Sequence, residues 1–178
     1  MIGLVLAMQL AAPPAADMKS SMQPVSVEDG VALFKRVCFA PFPDPKAAQA
    51  VIADPALGLT KEGETPSQAM QPGDAWMSPT ARVTYVDSEW LPRDFGNPQC
   101  GVTVALEGAP EHLAIEAAVI ATLALPPGKG GKNIPRGQTQ WDLPRGPDTW
   151  RMFLSTETTP SGKEMRVIMM NLRGKKTK

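Results

Sequence analysis

Apolar residues recur at every second position in five stretches of this chain and at helical spacing in three. The densest run extends from Cys100 to Leu125. Cys100, Val102, Val104 and Leu106 alternate with Gly101, Thr103 and Ala105, a period of two that predicts a strand. Gly108 breaks that pattern, and Pro110 suits the first helical position, where its missing N–H would have had no partner. Glu111 then places a negative charge in the first turn. Leu113, Ala117, Ile120, Ala121 and Ala124 form one apolar stripe, and Ile115, Ala118, Val119 and Leu123 make most of the opposite side apolar as well. A helix apolar all round is expected to be deeply covered. Pro126 and Pro127 stop it.

Upstream, Ser26 is suited to cap a helix over residues 27–38, with Glu28 and Asp29 in its first turn and Lys35 and Arg36 in its last. Val31, Phe34, Val37 and Cys38 share its apolar face, while Gly30 weakens its start. Pro41 and Pro43 end it, and Asp44-Pro45 opens a second helix over 45–54 with Ala47, Val51 and Ile52 inward. Residues 55–80 show no period and read as a long surface excursion, in which Met70, Trp76 and Met77 stand out. Strands are predicted over 81–86, over 138–143 around Thr139, Trp141 and Leu143, and over 149–156 and 164–172. The last two form a hairpin closed by Thr158-Thr159-Pro160-Ser161-Gly162. The expected fold class is α+β: about five strands in a mainly antiparallel sheet, helices packed on one face, and a profilin- or PAS-like order of helix, helix, strand, strand, helix and three strands.

Composition adds compartment and connectivity. A chain of 178 residues with 43% hydrophobic content suits one core, so residues 17–178 are expected to form a single domain. Nineteen prolines and fifteen glycines imply long irregular connections. Residues 1–16 read as a signal peptide: an apolar run from Ile2 to Leu10, then small residues from Ala11 to Ala16, without the positive residues that usually precede such a run. This predicts a periplasmic or secreted protein, not a transmembrane one. Two cysteines in an exported chain favour a Cys38–Cys100 bridge between the end of the first helix and the head of the central strand. Two buried free thiols are the alternative.

Net charge is zero but uneven: 7 Lys and Arg against 14 Asp and Glu up to Leu125, then 11 against 4. Lys129, Lys132, Arg136 and Arg145 lie in the basic part, where an anionic polymer or lipid head group could bind; no specific nucleic-acid reader is visible. The run from Gly128 to Lys132 lacks the spacing and the hydroxyl residue of a phosphate loop and reads as a mobile connector. His112, the sole histidine, sits in a helical first turn and is expected in a surface or capping role; no nucleophile elbow accompanies it. Asp87, Glu89 and Asp94 near Trp90 could serve a carboxylate-based, ion- or sugar-dependent enzyme, and Met152, Met165, Met169 and Met170 could gather copper, although their alternation is that of core filling. No cofactor is implied, and the leading expectation is a binding or structural role in the cell envelope.

The layout of a leader, an apolar helix ending in Ala32-Leu33-Phe34-Lys35-Arg36-Val37-Cys38, an alanine-rich second helix, a long loop, Cys100-Gly101-Val102-Thr103-Val104, a helix and a Trp-bearing hairpin resembles small exported proteins of proteobacteria whose role is unassigned. The resemblance implies compartment and fold and no activity.

Overall fold

The computed structural model describes residues 22–42, 44–62, 74–86, 99–130, 137–145 and 148–172. Helix α1 spans Val27–Phe34, and the Ser26 side chain caps it by accepting from the Asp29 N–H at 3.1 Å. The chain then widens into a π-helical turn, Lys35–Phe39, closed by the bond from Ala40 N–H to the Lys35 carbonyl. Helix α2, Pro45–Ile52, is capped by Asp44, and a 3₁₀ turn follows at Pro55–Leu57. Ala48 and Ile52 are the buried residues of α2, while Ala47 and Val51 stay half-buried. Helix α3 spans His112–Leu123 with Glu111 as its N-cap residue, so Pro110 precedes the cap instead of opening the helix.

Seven strands follow one another as β1 Thr60–Lys61, β2 Asp74–Met77, β3 Ala81–Val86, β4 Gln99–Leu106, β5 Gln138–Arg145, β6 Asp148–Thr159 and β7 Gly162–Leu172. They form one antiparallel sheet in the order β1-β2-β3-β4-β7-β6-β5. Helix α3 therefore carries the chain from β4 to the far edge, and the β6–β7 hairpin returns it to the centre.

This corrects the expected five strands and the profilin- or PAS-like order, because four strands precede the crossing helix. The additional pair, β1 and β2, lies where no period was visible. β1 has only two residues and β2 only four, too few for alternation to register. What defines them is pairing: Trp76 lies opposite Val83 in β3 and opposite Lys61 in β1.

The five longer strands place their inward residues in continuous rows. One row runs Val83, Val102, Val167, Leu154 and Thr139, and the next Tyr85, Cys100, Met169, Met152 and Trp141. All of these but the polar Thr139 join Val31, Phe34, Val37 and Cys38 from the first helix and its π turn, and Ile115, Val119 and Leu123 from α3, in one buried cluster. Gly30 has a packing reason to be glycine: a Cβ there would stand 2.7 Å from Met165 Cε and 2.9 Å from Val104 Cγ2, so α1 lies directly on the sheet. Cys38 and Cys100 are joined by a disulfide, with Cα atoms 5.5 Å apart. Lys35 Nζ donates to the Thr122 carbonyl at 3.0 Å, satisfying one of the unpaired acceptors at the end of α3.

Coverage of α3 departs from expectation. Ile115, Val119 and Leu123 are buried, but Ala114, Ala117 and Ala121 face outward and Leu113 is 76% exposed. The apolar stripe through Leu113, Ala117 and Ala121 is the outer side of the helix. Alanine's small side chain makes such exposure tolerable, and single exposed apolar residues are ordinary on protein surfaces.

Candidate functional site

Thr139 occupies an inward position of β5, two residues before Trp141, and is 3% exposed. A polar side chain there requires a partner, since a buried hydroxyl without one costs free energy. The partner is His112, whose Nε2 lies 2.8 Å from Thr139 Oγ1. The other ring nitrogen, Nδ1, lies 3.0 Å from the hydroxyl of Thr156 on β6. Thr139 Oγ1 in turn donates to Glu116 Oε2 at 3.2 Å, one turn along α3 from the histidine.

These contacts determine the direction of each bond. A carboxylate oxygen only accepts, so the single hydroxyl proton of Thr139 is directed to Glu116. Thr139 Oγ1 then accepts from His112, which places a proton on Nε2. In the neutral ring Nδ1 is an acceptor, and the Thr156 hydroxyl donates to it. The order is Thr156 to His112 to Thr139 to Glu116. Burial holds the imidazole below its ordinary value of 6.5; Glu116 opposes that shift, and Lys163 on β7 adds to it.

His112 is thus neither a plain surface residue nor a cap: it fastens the first turn of α3 to two strands. Both ring nitrogens are engaged, and Thr139 is almost wholly buried while Thr156 is half-buried. The Glu116 carboxylate binds the Thr139 hydroxyl.

The other sites expected from sequence fare differently. Lys129 is described, and its side chain is taken up by Asp142 at 3.3 Å. Arg151 Nε approaches the same carboxylate at 2.7 Å, and this bond, with that of Lys129, holds Asp142 below the usual carboxylate range. Lys132, Arg136 and the side chain of Arg145 lie outside the described residues, as do residues 1–16 and the carboxylates Asp87, Glu89 and Asp94. Met152, Met165 and Met169 are fully buried in the core, and Met170 is half-buried on the opposite face of β7. No group of three His, Cys, Asp or Glu side chains that could hold a metal ion occurs among the described residues. Among them, no helix is long and apolar enough to cross a membrane.

The start of the glycine run is strapped down, in contrast to the expected mobile connector. Lys129 N–H donates to the Gln140 carbonyl at 2.8 Å, and Gln140 N–H returns a bond to Lys129 at 3.1 Å. Gln140 therefore turns its backbone groups to the outer edge of β5. By the two-residue period Pro144 does the same, so its missing N–H removes no bond to β6. Trp141 Nε1 donates to the Pro126 carbonyl at 2.9 Å. Under the strap, a Cβ on Gly128 would stand 2.1 Å from Thr139 Cγ2 and 2.9 Å from two atoms of the Trp141 ring.

A substitution test follows from that spacing. Gly128→Val should destabilise the fold by about 1–3 kcal/mol, the usual cost of overpacking. Gly130→Val should be nearly neutral, because nothing lies within 4 Å of a Cβ at that position. Urea unfolding of the two variants checks this, and equal stabilities would mean that the strap does not rest on Thr139 and Trp141.

Comparison of the chain with protein-family models, with curated proteins and with solved structures finds no match. The resemblance to small exported proteobacterial proteins accordingly gains no support from them.

Proposed function

We propose that this chain is a small exported domain of the periplasm or the secreted fraction that acts by binding, or as a structural part of the cell envelope, and not by catalysis. The observation that carries this reading is the Cys38–Cys100 disulfide, both of whose residues are fully buried. Bridges of this kind persist in oxidising compartments and are rare where thiols are kept reduced. The apolar run from Ile2 to Leu10 supplies the matching export signal. The non-catalytic part rests on the bonding of His112, both of whose ring nitrogens are committed to buried or half-buried hydroxyls.

The compartment is tested by intact mass and cell fractionation of the full-length chain, expressed from its first methionine in a Gram-negative host. The expected product is periplasmic, lacks about the first 16 residues, as the small-residue cleavage rule places the cut, and takes up alkylating reagent only after reduction. Cytosolic protein with an intact N-terminus and two alkylated thiols would overturn the proposal. For the binding role, thermal melts are run with heparin and with vesicles of anionic lipid, since a ligand of the folded state raises the melting temperature by mass action. A salt-sensitive rise supports an anionic partner. A rise with calcium that Asp94→Asn abolishes would replace the binding reading with an ion-dependent activity.

A further inference from the structure

We propose that His112 is a pH-responsive latch, closed while its ring is neutral and loosened when the ring takes up a proton, that joins the start of α3 to β5 and β6. Three observations carry it. The ring bridges hydroxyls on two different strands, Thr139 at 2.8 Å and Thr156 at 3.0 Å. The bond from Thr139 to Glu116 leaves only Nδ1 free to change its role, from acceptor to donor. The Thr156 hydroxyl has a second acceptor within reach, the Gly137 carbonyl at 3.5 Å.

A proton arriving at Nδ1 converts that nitrogen into a donor, so its bond with Thr156 Oγ1 reverses and the Thr156 hydroxyl proton must turn to the longer contact with the Gly137 carbonyl at 3.5 Å. That carbonyl already accepts the Thr156 N–H at 2.9 Å, and Gly137 is held at φ +75° against Thr156. Protonation therefore changes the bonding at the point where the chain enters β5. The new charge also sits in the first turn of a helix, where the dipole opposes a cation. The charged groups bearing on the ring are Glu116 from its own helix, which favours the proton, and Lys163 from β7, which opposes it. From β5 and β6 the hydroxyls of Thr139 and Thr156 bond the ring.

The sign follows from the burial of the ring. A histidine whose folded value lies below its unfolded value of 6.5 takes up its proton more readily in the unfolded chain. The latch then contributes its full stability above that pH and loses it progressively as pH falls below it.

Because His112 is the sole histidine, its ring signals in an NMR titration of the full chain are unambiguous. The expected result is an Nε2–H tautomer at neutral pH and a midpoint below the ordinary histidine value. The Thr156 amide should shift with the same midpoint. Thermal melts give an independent readout: the melting temperature of the native chain should fall more steeply between pH 7 and pH 5 than that of His112→Gln, which carries no titrating ring. An Nδ1–H tautomer, a midpoint at the ordinary value, or parallel pH profiles for the two proteins would overturn the proposal. If His112→Gln does not fold, tautomer and midpoint in the native chain still decide.

Discussion

Replacing Cys38 and Cys100 together by alanine is expected to destabilise the fold by about 4 kcal/mol, the chain-entropy value for a bridge spanning 62 residues. In a chain of this size that corresponds to a fall in melting temperature of roughly 8–16 °C. The double substitution is preferable to a single one, which leaves a thiol free to oxidise or to pair elsewhere. The large effect has a structural origin: the bridge joins the π turn after α1 to β4, the strand paired with both β3 and β7. Without it, the helix that closes over Met165 and Val104 loses its covalent tie to the sheet. Melts of the native, reduced and doubly substituted proteins measure the effect. A drop below about 3 °C, equivalent to roughly 1 kcal/mol, would mean that the bridge decorates an already stable core.

The bridge was legible in the sequence because two periodicities pointed to it. Cys38 continued the apolar face of Val31, Phe34 and Val37, and Cys100 headed the alternation of Val102, Val104 and Leu106. The π turn that brings Cys38 over β4 was not legible, since a one-residue widening of a helix leaves no compositional trace. The same distinction runs through the fold. Strands long enough to alternate could be read, whereas β1 and β2, defined by their partners, could not. A local signal for β2 did exist in Ser78-Pro79-Thr80, where the Ser78 N–H donates to the Ala81 carbonyl at 2.9 Å and the Ser78 side chain accepts from the Ala81 N–H at 3.1 Å.

The polar cluster was half legible. Thr139 fell at an inward position beside Trp141 and Leu143, and a polar residue there demands a bonded neighbour. Nothing local named that neighbour, because His112 lies 27 positions earlier and Thr156 is 44 positions from the histidine. The sidedness of α3 was hidden for a different reason. With apolar residues on every face, periodicity carries no information about which face meets the sheet, and only side-chain size separates buried Ile115, Val119 and Leu123 from exposed Ala114, Ala117 and Ala121.

Trp150 offers the second large expected effect and a finer test of the core. It lies on β6 at 1% exposure, and Phe42 packs against it at 5.1 Å between ring centroids in an edge-to-face arrangement. Trp150→Ala should therefore cost about 3–5 kcal/mol, the range for deleting a buried aromatic ring. Trp150→Phe should cost far less, for two reasons. A six-membered ring remains to meet Phe42, and the substitution removes an indole N–H that has no hydrogen-bond acceptor among the described residues. A buried donor of that kind carries a penalty of about 1–3 kcal/mol, which phenylalanine relieves. Trp141 provides the opposite case, because its Nε1 donates to the Pro126 carbonyl, in the segment that follows α3. Trp141→Phe leaves that carbonyl without its indole partner and loosens the strap over β5, so it should destabilise more than Trp150→Phe although both rings are buried. Urea unfolding of the three variants measures the order. If the two phenylalanine substitutions cost the same, then either the Trp150 N–H is bonded or the Trp141 bond contributes nothing to stability.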